Sequence, residues 1–195
     1  MSKQKSPKKH KAALLIVILA VAAVAVFLVM RGPLSEMQYP LAYTESIQRN
    51  ADRFGLDPYR VAAVIKTESD FKADARSRAG AIGLMQIMPE TGAWIAEKLG
   101  VENFTPDMLA DPERNIEFGC WYMQFLDERF DGDPELMSAA YNAGHNRVKQ
   151  WLEDSAVSAD GEHLHDIPYP ETKDYVVRIE KAYETYRRLY PNVFR

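Results

Sequence analysis

One cysteine, Cys120, stands in a chain of 195 residues, so no disulfide can form within it. Cys120 shares helical spacing with Ile116 and Met123, which assigns it the role of a small buried side chain. No alternating polar and apolar run reaches strand length, and no internal repeat or low-complexity tract is present, so sheet folds and solenoids are excluded. No phosphate-cradling glycine loop occurs. His163 and His165 sit in a polar loop without evident third and fourth ligands, a weak basis for a metal site. Acidic residues are missing from the first 31 positions: all 28 lie beyond Arg31. After Arg31 they face only 18 basic residues, a balance of −10, and nucleic acid, which requires a basic footprint, is excluded as a partner.

Lys3, Lys5, Lys8, Lys9 and Lys11 precede 19 uncharged residues, Ala12 to Met30. At about 1.5 Å per residue that stretch nearly spans a hydrocarbon core of roughly 30 Å. The lysines place residues 1–11 in the cytoplasm and make 12–30 a transmembrane signal anchor. A cleaved signal peptide is the alternative, with Ala20-Val21-Ala22 or Ala23-Val24-Ala25 as processing sites, although the apolar run continues to Met30. Residues 31–40, with Gly32, Pro33 and Pro40, read as a tether, and 41–195 as one exported all-α domain.

Within that domain Asp57-Pro58, Asp111-Pro112 and Asp133-Pro134 each give an N-cap followed by proline at the first helical position. Ile47, Ala51 and Phe54 mark a helix closed by Gly55. Phe71 to Gly80 reads as irregular, Leu84 to Ile87 as a short apolar helix, and Pro89 to Leu99 as another, ended by Gly100. Ile116 to Phe130 follows, then Leu136 through Leu152, a polar loop from Ser155 to Asp166, and a last helix over about Glu171 to Leu189. In the helix begun by Asp57, Val61, Val64 and Ile65 form an apolar stripe whose next position is Glu68. An acid there is costly to ionise, so its pKa is expected to rise, as suits a proton donor near neutral pH. The competing reading has the helix fray after Thr67 and Glu68 turn into water.

Three segments add a pattern that spacing alone does not give. Glu68-Ser69, Ala75-Arg76-Ser77 and Gly80-Ala81-Ile82-Gly83-Leu84-Met85-Gln86-Ile87-Met88-Pro89-Glu90-Thr91-Gly92 come first. Ala140-Tyr141-Asn142-Ala143-Gly144 is the second, and Ile167-Pro168-Tyr169-Pro170-Glu171-Thr172-Lys173-Asp174-Tyr175-Val176 the third. In this order they resemble the motifs of lytic transglycosylases of the soluble-lytic-transglycosylase family, over about Tyr39 to Tyr190. The resemblance implies a lysozyme-like α fold that cleaves the β-1,4 bond between N-acetylmuramic acid and N-acetylglucosamine in peptidoglycan glycan strands, without a cofactor.

By that resemblance Glu68 is the single catalytic acid, then base, and a 1,6-anhydro end forms. Ser77, Gln86, Met88, Tyr141, Asn142, Glu171 and Tyr175 take the substrate-contacting positions. Each also has a structural reading: a turn hydroxyl for Ser77, a solvated helix residue for Gln86, core packing for Met88, helix C-capping for Asn142, and a dipole-complementing acid for Glu171. His145 reads as a surface residue, and Trp94, Trp121 and Trp151 as helix-packing residues. Two other functions remain open: a goose-type-lysozyme-like hydrolase of the same bond, and a non-catalytic glycan-binding or scaffold module. The expected location is the bacterial inner membrane, single-pass, with the catalytic domain periplasmic; the sequence names no protein partner.

Overall fold

A computed structural model describes residues 16–17, 19–22 and 37–195. The chain divides into two units, 1–38 and 39–195. Of the first, residues 16–17 and 19–22 are helical, with Ile16, Val17, Leu19 and Val21 exposed. Among the described residues no helix is long and apolar enough to cross a membrane. The expected anchor, 12–30, and most of the tether lie largely outside them.

The second unit follows the cap signals closely. Helix α1, Thr44–Phe54, buries Ile47, Ala51 and Phe54 and stops at Gly55 in the left-handed conformation. Helix α2, Pro58–Ser69, starts where Asp57 accepts a 2.8 Å hydrogen bond from the Tyr59 N–H. Its stripe is core: Val61, Val64 and Ile65 are at most 1% exposed. The helix does not fray at Thr67; it continues through Glu68 to Ser69, and the Asp70 N–H returns to the Lys66 carbonyl.

Helix α3, Pro89–Leu99, leads through a 3-10 segment, Pro106–Ala110, into α4, Pro112–Arg129. Asp111 caps α4 and Asp133 caps α5, Pro134–Ala143, each through its carboxylate. Cys120 is fully buried in α4 as expected, and burial pushes its thiol pKa up. The helix end expected ahead of Gly144 is there: Gly144 adopts φ 89°, ψ 138°, and α6, His145–Glu153, begins anew. The last helix, α7, Pro170–Leu189, packs along α2 and α5. Its buried face is Thr172, Tyr175, Ile179, Ala182 and Tyr186, with Val176 and Tyr183 only half-buried at its edge. Because α7 crosses both α2 and α5, it joins the helix carrying Glu68 to the helix carrying Tyr141.

Leu84 to Ile87 is not the short helix its apolar run suggests. Ile82 and Ile87 exchange backbone hydrogen bonds of 3.0 and 3.1 Å around a tight turn, and Arg76 bridges to Ile82 on the other side. Local apolar periodicity is overridden here by backbone pairing, of Ile82 with Ile87 across the turn and with Arg76 before it. The domain also begins earlier than Leu41. Tyr190 donates to the Tyr39 carbonyl and Tyr186 to that of Pro40, so both residues are tied into the helical unit.

Candidate active site

Glu68 lies in the last turn of α2, half-buried. Burial raises its pKa from an ordinary 4.5 to about 7, against two opposing influences, a hydrogen bond from Tyr175 and the positive charge of Arg178. Tyr175 Oη donates to Glu68 Oε1 at 2.6 Å. Burial, reinforced by the charge of Glu68, holds the Tyr175 phenol far above its ordinary pKa, so it stays a neutral donor at any physiological pH. Tyr141, on α5, feels the same carboxylate, and burial raises its pKa too. Its hydroxyl donates to the Met85 backbone carbonyl at 2.9 Å.

The segment 82–88 is held in place by a residue that the sequence reading passed over. Asn115, fully buried in α4, accepts from the Met85 N–H at 2.7 Å and donates to the Ile82 and Leu109 carbonyls at 2.9 and 2.8 Å. Gly83, at φ 81°, passes so close that an added Cβ would lie 2.3 Å from Asn115 Nδ2. Gly119, one turn along α4, leaves room for Met85: a Cβ there would sit 2.1 Å from its sulfur. The signal for Asn115 was present, since a polar residue beside Ile116 and one turn before Phe118 and Gly119 falls on the inner face of α4.

Gln86 occupies the turn itself, in a left-handed conformation at φ 48°. Its amide nitrogen donates to Gly83 O at 2.8 Å and Ala75 O at 3.2 Å, and its carbonyl oxygen takes no hydrogen bond among the described residues. It is thus a turn residue with one open acceptor rather than a solvated helix residue. Met88 is 39% exposed and precedes α3, so it is not a core methionine. Ser77 Oγ accepts from the Ala81 N–H at 2.9 Å, closing the turn that links the paired segments 75–77 and 81–83.

Asn142 is exposed and Thr172 Oγ1 donates to its Oδ1 at 2.7 Å, linking the end of α5 to the start of α7. The cap of α5 is made instead by the Gly144 N–H. Glu171 is exposed in the first turn of α7, and its side chain makes no hydrogen bond among the described residues. The structure therefore brings Glu68, Tyr175 and Tyr141 together with the Met85-Gln86 turn. Ser77 is committed to its loop, and Glu171 stands apart from these contacts. His145 is not a simple surface residue: it is half-buried, its ring 5.3 Å from Phe125 and 6.5 Å from Trp94. Of the three tryptophans only Trp151 is core, at 6% exposed.

A carboxyl that titrates near neutrality, on a helix end and beside two neutral phenols, has the properties of a group able to give and take a proton at neutral pH. Similarity to known proteins agrees with it. The family model described as "Transglycosylase SLT domain" matches residues 45–163. The soluble lytic murein transglycosylase of Escherichia coli is 35% identical over 157 residues, 80% of this chain and 24% of that protein. The membrane-bound lytic murein transglycosylase C of Histophilus somni is 30% identical over 166 residues, 74% of this chain and 46% of that protein. A crystal structure of an inactive mutant of the lytic transglycosylase Slt from Pseudomonas aeruginosa superposes with a TM-score of 0.71 at 33% identity, covering 82% of this chain and 26% of that one. This chain thus spans about a quarter of its soluble relatives and just under half of the membrane-bound one. On the domain match, the shared all-helical lysozyme-like fold and these identities, the chain belongs to the SLT transglycosylase family.

Proposed function

We propose that this protein is a peptidoglycan lytic transglycosylase cutting the MurNAc-β-1,4-GlcNAc bond, with Glu68 as the single general acid and base. The observation that carries the reading is the Glu68 carboxyl, held near pKa 7 by burial and contacted by the Tyr175 hydroxyl. A departing sugar alkoxide must be protonated as the bond breaks, and a carboxylic acid half-charged at neutral pH supplies that proton. The 2-acetamido oxygen of the cleaved sugar stabilises the anomeric carbon. Glu68, now ionised, takes the proton of the 6-hydroxyl, and the freed oxygen closes the 1,6-anhydro ring. Protons balance, and the acid is restored.

The groups acting on Glu68 fit a one-carboxylate scheme: a phenol, Tyr175, and a cation, Arg178, favour its ionised form. Tyr141 and Gln86 would border the substrate, with Met88 as an apolar surface beside it; Asn142 and Ser77 would set the shape of that border, and Glu171 its outer edge. Residues 12–30 would anchor the enzyme in the inner membrane, leave residues 1–11 in the cytoplasm and hold the domain on its outer side. A relative named as membrane-bound supports this arrangement.

Mass spectrometry of peptidoglycan digested by the purified protein tests the proposal. Muropeptides ending in 1,6-anhydroMurNAc are the expected product. Reducing ends carrying added water would identify a hydrolase, and glycan bound but never released would leave only a binding module.

A further inference from the structure

Aromatic side chains on α3 and α4 form a cluster that adjoins Tyr141. The Tyr141 ring lies 5.4 Å from that of Tyr122, which lies 6.1 Å from Phe125 and 6.2 Å from Trp94. Trp94 meets Trp121 at 5.0 Å and Phe125 at 4.9 Å, both edge to face, and Trp121 stacks on Phe125 at 5.8 Å. His145 closes the group from the start of α6.

None of these five residues is core. On α4, Cys120, Met123 and Leu126 are fully buried, whereas Trp121, Tyr122 and Phe125 are only partly buried at the edge of the core, as are Trp94 and His145. Their polar atoms are unspent. The indole N–H groups of Trp94 and Trp121, the Tyr122 hydroxyl and the His145 ring nitrogens make no hydrogen bond among the described residues. No unpaired side-chain polar atom there is buried, so all of them reach solvent. By contrast Tyr59, Tyr141, Tyr175, Tyr183, Tyr186 and Tyr190 each donate to an acceptor of the protein.

We infer that Trp94, Trp121, Tyr122, Phe125 and His145 form a distal platform for the glycan, holding sugar units beyond those at Glu68. This rests on the proposed function for its ligand class, and the ring geometry supplies the rest. Ring faces pack against the C–H surface of a pyranose, and unpaired N–H and O–H groups at the ring edges meet its hydroxyl and acetamido groups. Contact with Tyr141 makes the platform continuous with the catalytic centre. Burial, aided by Arg129, lowers the His145 pKa, so its ring is uncharged at neutral pH and suits a neutral sugar.

The test is calorimetric titration of the full Glu68→Gln chain, in detergent, with β-1,4-linked N-acetylglucosamine oligomers of increasing length. Affinity is expected to rise with length. Adding Trp121→Ala is expected to erase that rise, weakening the longest oligomer about tenfold while the disaccharide binds as before. Trp121→Phe keeps a ring but lacks the N–H, and is expected to restore part of the rise. Thermal melting identifies any variant that has lost the fold, and Trp121→Phe then carries the test. Length-independent affinity in Glu68→Gln, equal weakening at every length in a folded variant, or unchanged affinity in Trp121→Ala overturns the inference. No cleavage enters this measurement, so a chain without transglycosylase activity would defeat the proposed function and leave the platform result standing.

Discussion

Tyr175 and Glu68, 107 residues apart, are joined by a 2.6 Å hydrogen bond between a neutral phenol and the carboxyl of the helix end it faces. The bond favours the ionised acid, whereas burial favours the protonated one, and burial wins.

Cleavage should follow that balance. With Glu68 acting first as an acid, kcat/KM is expected to fall as pH rises through about 7. Tyr175→Phe removes the donor and is expected to move this limb upward by about one pH unit, since a hydrogen bond to a charged group contributes roughly 1.5–3 kcal/mol. Rates of muropeptide release across a pH series check both; a limb that stays in place in Tyr175→Phe would contradict the coupling.

Stability should carry the opposite signature of an ordinary surface acid. The Glu68 pKa is higher folded than unfolded, so between pH 4.5 and about 7 the unfolded chain releases the proton first. Wild-type stability therefore declines through that window and levels off above it, by up to about 3 kcal/mol. Glu68→Gln has no proton to lose. Urea denaturation is expected to show the two proteins alike near pH 4 and the variant more stable at pH 8. Parallel curves at both pH values would count against a buried acid.

Asn115 satisfies three buried backbone groups at once. Asn115→Ala strands all of them, and a loss of about 3 kcal/mol or more is expected, together with reduced cleavage as Met85 and Gln86 shift. Chemical denaturation and rate measurements report both. A loss below about 1 kcal/mol, of the size expected on a solvated helix face, would mean that the segment is held by other means.

Gly119 and Met85 should be energetically coupled. Gly119→Ala places a methyl against the Met85 sulfur and is expected to cost about 1–3 kcal/mol by overpacking. In Gly119→Ala with Met85→Ala the clash is gone, so the pair is expected to be more stable than the sum of the single losses indicates. Simple additivity would show that Met85 moves aside without cost.

What the sequence made legible was what is settled within a few residues. Asp57, Asp111 and Asp133 cap helices through their own side chains, and the proline after each fixes the first turn, so these starts could be read directly. Glu68 could be placed because the stripe Val61, Val64, Ile65 determines which way it faces. The turn at 82–87 could not, because Leu84 to Ile87 has the composition of a buried helix and its true shape is imposed by Arg76, Ile87 and Asn115. Ser77, Gln86 and Asn142 stood in the expected motifs, but their hydrogen bonds run to Ala81, Gly83 and Thr172, partners that only the folded chain defines. Trp94 and Trp121 do pack helix against helix, as their spacing indicated, but His145, read as a surface residue, is half-buried against Phe125 and Trp94: helical spacing gives each residue's face, and what lies opposite depends on how α3, α4 and α6 pack.

Titration of the Glu68 side-chain carboxyl carbon by NMR, in protein labelled at glutamate and assigned by comparison with Glu68→Gln, reads the protonation state on which every step above depends. A midpoint near pH 7 is expected, moving higher in Tyr175→Phe. A midpoint near 4.5, insensitive to Tyr175, would show an ordinary solvated carboxylate and contradict Glu68 as the proton donor.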